Sequence, residues 1–179
     1  QVKEGDFESA ANPGAAGSSW INHNNPDTSE VVSSYEGKTN VLHLKESSSS
    51  FAGIKSSNST IPVDTFDLEI LIYVKAAGTG TMTDNIEMFW NTGSGSTALP
   101  ETELIVDKWI RIEKTGVTCT SGATSHLNIN VKNGMEVYVD YYRARLANRL
   151  ILKDLRGVGN GISPNGSGLS TTYTYRSTS

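Results

Sequence analysis

One stretch limits the fold more than any other: Leu127 to Leu146, which reads LNINVKNGMEVYVDYYRARL. Leu127, Ile129 and Val131 alternate with Asn128, Asn130 and Lys132, the period of a half-buried strand. Asn133-Gly134 follows, a pair that tolerates φ > 0 at both positions and so predicts a type I′ hairpin turn. The return run from Glu136 to Leu146 is dense in Val and Tyr, which suit a pleated, half-buried surface. Asp140 sits in the middle of that run, between Val139 and Tyr141. Burying an unpaired carboxylate is costly, so Asp140 needs a reason to be there.

The same alternation recurs along the chain. Leu68, Ile70, Ile72 and Val74 form one face of a strand over Asp67–Ala76, with Glu69, Leu71, Tyr73 and Lys75 on the other. Ile86, Met88 and Trp90 oppose Glu87 and Phe89, and Ile110 and Ile112 oppose Trp109, Arg111 and Glu113. Shorter strands are expected at Trp20-Ile21, Val31-Val32, Leu42–Leu44 and Phe51–Lys55, whereas Thr92–Thr97 reads as a Gly/Ser loop. Turn signals recur about every ten residues, and no stretch has a helical period. The expectation is therefore an all-β chain of roughly nine to eleven strands, folded as an antiparallel sandwich or barrel.

Composition excludes several functions. With 15 Lys+Arg against 19 Asp+Glu, the net charge is −4 and no basic block appears, so a nucleic-acid partner is not expected. The apolar runs are too short to insert across a bilayer as helices. The single cysteine, Cys119, rules out an intrachain disulfide and a Cys-cluster metal site.

Several pieces then line up in order. They are Gly5-Asp6-Phe7-Glu8-Ser9, Trp20, Asn40–Leu44, the strand ending Tyr73-Val74-Lys75-Ala76, Lys108–Arg111, and Val137-Tyr138-Val139-Asp140-Tyr141-Tyr142. Together they resemble the jelly-roll carbohydrate-binding modules that bind xylan and glucans, within the galactose-binding-like sandwich group. The resemblance covers residues 1–147 and leaves 148–179 as a Gly/Ser/Thr-rich C-terminal arm or linker. It implies a structural calcium between the first and last strands, held by the carboxylates of Glu8 and Asp140 and by backbone carbonyls of the Gly37-Lys38 turn. Oxygen donors of this kind suit Ca²⁺. The chain departs from the family pattern at Tyr141, where a second acid is common. The other reading of Asp140 is a carboxylate accepting hydrogen bonds from backbone or a Tyr hydroxyl at a sheet edge.

A glycan site needs aromatic platforms beside a few orienting polar groups. The candidates are Tyr73, Phe89, Trp90 and Trp109, with Glu69, Glu87, Arg111 and Asn128 as polar neighbours; the alternation would let Tyr73, Phe89, Trp109, the polar neighbours and Asn130 share one outer face or cleft. The plainer reading of the tryptophans is core or edge packing. Catalysis finds little support: His23, His43 and His126 are scattered, no G-x-S-x-G occurs, and the only acid pair to name, Glu69 and Glu87, reads as two solvated carboxylates. Asp154-Leu155-Arg156-Gly157 resembles a short motif of phage tail-collar domains. Two functions follow as expectations. One is a non-catalytic glycan-binding module acting in surface attachment, extracellular and partnered by a polysaccharide or cell-surface glycan. The other is a virion decoration or tail protein that associates with itself, or with capsid or tail subunits, through residues 148–179.

Overall fold

The structure is a computed structural model and describes residues 7, 11–16, 18–92, 95–119 and 124–147. Among these residues eleven strands form two antiparallel sheets. The first sheet contains β1 (Trp20–His23), β4 (Ala52–Ser56), β10 (Thr124–Val131), β7 (Ile86–Asn91) and β8 (Ser96–Ala98) in that spatial order, with β5 (Ser59–Thr60) paired to β10. The second contains β2 (Thr28–Tyr35), β3 (Lys38–Glu46), β11 (Met135–Leu146), β6 (Asp64–Ala77) and β9 (Trp109–Cys119). The alternation dictates the layers. Leu42, Leu44, Ile70, Ile72, Ile112 and Val137 of the second sheet meet Ile54, Ile86, Met88, Trp90, Leu127 and Ile129 of the first in one core. Phe7 joins that core and stacks on Trp20 at 5.4 Å between centroids.

The Asn133-Gly134 turn forms with φ of 56° and 82°, as its residue types require. It does not make a hairpin. β10 pairs with β4, β5 and β7, and β11 pairs with β3 and β6, so the turn carries the chain from one sheet to the other. The cause lies in what the turn bonds to. Asn133 N–H donates to Ser48 O (2.6 Å), in the β3–β4 connection, and Gly134 N–H to Glu46 O (2.8 Å), at the end of β3. Thr79 N–H donates to Asn133 O (2.8 Å), and Asn133 Nδ2 donates to Asn85 Oδ1 (2.8 Å), both in the β6–β7 connection. Three crossings between the sheets therefore lace one end of the sandwich together. A Cβ at Gly78 would lie 2.8 Å from Asn133 O, so this crossing point has no room for a side chain.

Two strands were invisible to periodicity. β5 is two residues long, and β8 starts inside the expected Gly/Ser loop and runs one residue past it. The arm at 148–179 lies outside the described residues, and with it the expected self-association and the expected contacts with capsid or tail subunits.

Candidate functional site

The candidate ligand residues do not share a face, and Trp90 is not a platform at all: it is buried in the core edge-on to Phe66. Tyr73 and Arg111, together with Trp109, lie on the outer face of the second sheet; Glu87 and Phe89 lie on the outer face of the first. The alternation assigned each residue correctly to the non-core side of its own strand. It carried no information on which sheet each strand joins.

The outer face of the second sheet is closed. Register places His43, Tyr138, Tyr73 and Trp109 in one row across β3, β11, β6 and β9. Tyr138 stacks on His43 at 4.5 Å, and Tyr73 meets Trp109 edge-on at 5.5 Å. The β2–β3 tip reaches over this row. Tyr35 stacks on Tyr138, and Glu36 O accepts from Trp109 Nε1 (3.1 Å), although β2 and β9 are the two edges of the sheet. The tip bends with positive φ at Glu36 (43°), Gly37 (79°) and Asn40 (52°). Tyr73 is left 7% exposed and Tyr138 9%. A sugar ring needs an open aromatic face to stack on, so Tyr73 is a packing residue. Trp109, half-buried and bonded through its indole N–H, serves the same cluster.

Arg111 is also committed. Its Nε donates to Glu69 Oε1 (2.6 Å), while Tyr141 Oη (2.5 Å) and Arg143 Nη2 (3.0 Å) donate to the same carboxylate. Burial opposes ionisation of Glu69, which is 6% exposed, but these donors outweigh it and hold the carboxyl below its usual range. The acid pair Glu69 and Glu87 is thus split between opposite sheets.

Asp140 has a backbone reason for its place. β11 pairs Val139 with Ile72 and Tyr141 with Leu71, so Asp140 is the extra residue of a β-bulge. Its Oδ2 lies 3.4 Å from Lys38 Nζ, brought there by the same β2–β3 tip. Among the described residues no group of three or more His, Cys, Asp or Glu converges on one point. Of the two carboxylates implied for a calcium the described residues contain Asp140, which faces the Lys38 ammonium. Glu8, the other carboxylate implied by the resemblance, lies outside the described residues.

On the outer face of the first sheet Asn128 and Asn130 are buried, whereas Glu87 and Phe89 keep part of their surface. Phe89 is half-buried and, with Glu87, Met88, Ser96, Ala98 and Glu101, lines an open groove of about 400 Å³. β7 supplies the centre, β8 one wall, and the 3₁₀ turn Glu101–Glu103 brings Glu101 opposite Glu87. Glu101 is pushed above the usual carboxylate range, first by burial and then by the negative charge of Glu87. Lys114 Nζ bonds Ala98 O (3.0 Å) at the rim. Beside the groove, Asn128 sits in register between Lys55 and Phe89; it is 2% exposed, and its Nδ2 is a buried donor without an acceptor among the described residues. Next to it Asn130 Nδ2 donates to Glu87 Oε2 (3.4 Å), and His23 Nδ1 lies 3.1 Å from Asn130 Oδ1.

No protein-family model matches the sequence, and no curated protein does. Solved structures do match. A CBM22-1 xylan-binding domain from Paenibacillus barcinonensis Xyn10C superposes with a TM-score of 0.56 over 82% of this chain and 95% of that one, at 9% identity. The xylan-binding module CBM15 gives 0.52 over 82% and 97%, at 14% identity. The C-terminal family 22 module of Clostridium thermocellum Xyn10B gives 0.51 over 83% and 96%, also at 14%. This chain has the jelly-roll fold of those carbohydrate-binding modules. The antiparallel β-sandwich expected from the alternation is therefore the observed architecture.

Glu101 and the β8 wall were missed at the sequence level. β8 is too short for a period, and Glu101 follows Pro100 in what reads as a loop. His23 was passed over for want of a nucleophile beside it. One signal pointed toward it: Gly53 in the middle of a strand marks a close approach of neighbouring groups.

Proposed function

We propose that this protein is a non-catalytic glycan-binding module that acts outside the cell in attachment to a polysaccharide, and that its site is the Phe89–Glu87 groove on the first sheet. One observation carries the reading: Phe89 is the aromatic ring that lines an open groove with carboxylates on either side, whereas the aromatic row of the other sheet is packed under the β2–β3 tip. The ring offers an apolar surface to a pyranose face. The carboxylates of Glu87 and Glu101 accept from hydroxyls, and Ser96 can donate or accept. The shared fold with xylan-binding modules supports a neutral polysaccharide as the first ligand to try, and xylohexaose is a suitable probe.

Calorimetric titration of the whole chain with xylohexaose and cellohexaose tests this. Binding with a dissociation constant in the micromolar to millimolar range is expected, lost in Phe89→Ala and kept in Tyr73→Phe. No heat at millimolar ligand, or unchanged affinity in Phe89→Ala, sinks the assignment of this groove.

A further inference from the structure

Across the first sheet, four positions stand in one register row. His23 of β1 pairs with Gly53 of β4, Gly53 with Asn130 of β10, and Asn130 with Glu87 of β7. All four belong to the outer face, because Ile54, Met88 and Ile129 beside them fill the core. The glycine leaves a gap in the row. A Cβ there would lie 2.9 Å from Asn130 Oδ1 and 2.0 Å from Ile129 O, so the position has no room for any side chain. Through the gap the His23 ring reaches Asn130 Oδ1 at 3.1 Å, two strands away.

We infer that His23 is a positioning residue for the groove: through Asn130 it fixes the orientation of the Glu87 carboxylate that receives the ligand. The inference rests on the glycan-binding reading above. The chemistry is directional. Asn130 Oδ1 can only accept, so His23 must present Nδ1–H to it. That contact settles which end of the Asn130 amide faces which neighbour, and turns Nδ2 toward Glu87 Oε2 at 3.4 Å. With Oε2 held, Oε1 is the oxygen left to accept from a sugar hydroxyl. Asn130 is 2% exposed, so the amide is locked among its neighbours rather than exchanging with water. If the His23 donor is removed, the Asn130 amide loses one of its two partners in the row and is held only by its long bond to Glu87 Oε2 (3.4 Å). A ligand hydroxyl then meets a carboxylate whose bond from Asn130 Nδ2 is no longer held in place, and which is free to change rotamer.

A double-mutant cycle read by xylohexaose titration, with amide exchange of the Asn130 side chain followed by NMR in the free protein, decides the matter. His23→Phe, which keeps the volume and removes the donor, is expected to weaken binding about 3–10-fold, the worth of one hydrogen bond. His23→Asn places an amide nitrogen where Nδ1 was and is expected to restore most of the affinity. In a Glu87→Gln background His23→Phe is expected to add less than about twofold, since a residue that works through Glu87 has nothing left to position. Wild-type affinity in His23→Phe, or a full additive loss in the double mutant, overturns the positioning role while leaving the groove assignment standing. If xylohexaose does not bind wild type, or Phe89→Ala and Glu87→Gln both bind as wild type, the groove assignment is what fails. The side-chain exchange then speaks for the row by itself: faster exchange of the Asn130 amide in His23→Phe supports the clamp, and an unchanged rate overturns it.

Discussion

On the outer face of the second sheet, rings fill the row from His43 to Trp109, and a bent tip lies across them. On the outer face of the first, the comparable row holds His23, a glycine, Asn130 and Glu87, with Phe89 one row away beside a groove. Both faces come from period-2 strands with the same inward set of Ile, Leu and Val. The difference lies in what the outward positions can do for each other. Aromatic neighbours across strands attract by about 0.5–1.5 kcal/mol per pair beyond the area they bury, and they close up. The buried amide of Asn130 bonds the Glu87 carboxylate at one oxygen and leaves the other for a ligand. One face has become a second small core, and the other has kept a groove open at Glu87 and Phe89.

The largest effects should therefore fall on the closed face, and on stability rather than binding. Tyr138→Ala removes a ring that stacks on both Tyr35 and His43, and a loss of about 3–5 kcal/mol is expected in urea unfolding, as for large-to-small changes in cores. Xylohexaose affinity of the folded fraction should not change. Phe89→Ala should do the reverse, abolishing binding at a cost under about 1.5 kcal/mol, since its ring is only half-buried. Equal stability losses in the two variants would remove the distinction between the faces.

Next in size is Glu69→Gln, expected to cost about 2–3 kcal/mol. Cutting a buried ion pair costs about 3–5 kcal/mol when the orphaned charge has no other outlet. Here the Arg111 side chain is 56% exposed and can turn to water. The pH dependence follows from the sign of the shift. Glu69 is held below its usual range in the folded state, so its contribution is complete above the unfolded carboxylate value near 4.5 and is lost as pH falls through the folded one. Wild type should lose more stability than Glu69→Gln on going from neutral to strongly acidic pH. Parallel acid profiles would show that the Arg111–Glu69–Arg143 cluster contributes little.

Glu101 gives the opposite sign on the open face. Its carboxyl is raised above the usual range, so ionising it weakens the folded state as pH rises from the usual Glu value upward. Glu101→Gln should raise the melting midpoint at neutral pH, leave it unchanged in acid, and weaken xylohexaose binding. A stabilised variant that binds less well is what a desolvated acid kept for a ligand predicts. A variant that is stabilised and binds normally would remove Glu101 from the site.

How much of this was legible in the sequence depends on the range of the interaction. Alternation is local, and it found the long strands and the side each residue faces. Sheet membership is not local. Leu127–Leu146 reads as a hairpin because Asn133-Gly134 fits a type I′ turn, and the turn does adopt those dihedrals. What decides that its strands part company is bonding to Glu46, Ser48, Thr79 and Asn85, residues 48 to 88 positions away that no window around the turn contains. The same gap split the ligand candidates: Tyr73 and Phe89 look alike in their strands, and only the strand order separates a buried ring from a groove-lining one. Gly53 was the informative misfit. A glycine inside a strand signals a close approach, and here the approach is Asn130 against the ring of His23.

The smallest expected effect concerns Asp140, which first drew attention as an acid in an apolar run. Its place is set by the bulge between Val139 and Tyr141, and its charge is met by Lys38. The side chains are 38% and 21% exposed, and ion pairs at such positions contribute about 0–1 kcal/mol. Lys38→Met should lower stability by no more than that, and less in high salt. A structural calcium predicts a different pattern. A metal bound only by the folded state raises the midpoint by mass action, so EDTA would lower the melting temperature, and Asp140→Asn would cost far more than Lys38→Met. With the ion pair alone, EDTA leaves the midpoint where it was and the two substitutions cost about the same. The comparison of the faces sharpens accordingly. If the ion pair suffices, the β2–β3 tip is pinned by Lys38–Asp140 at one point and by Trp109–Glu36 at another, and the closed face needs no metal to stay closed.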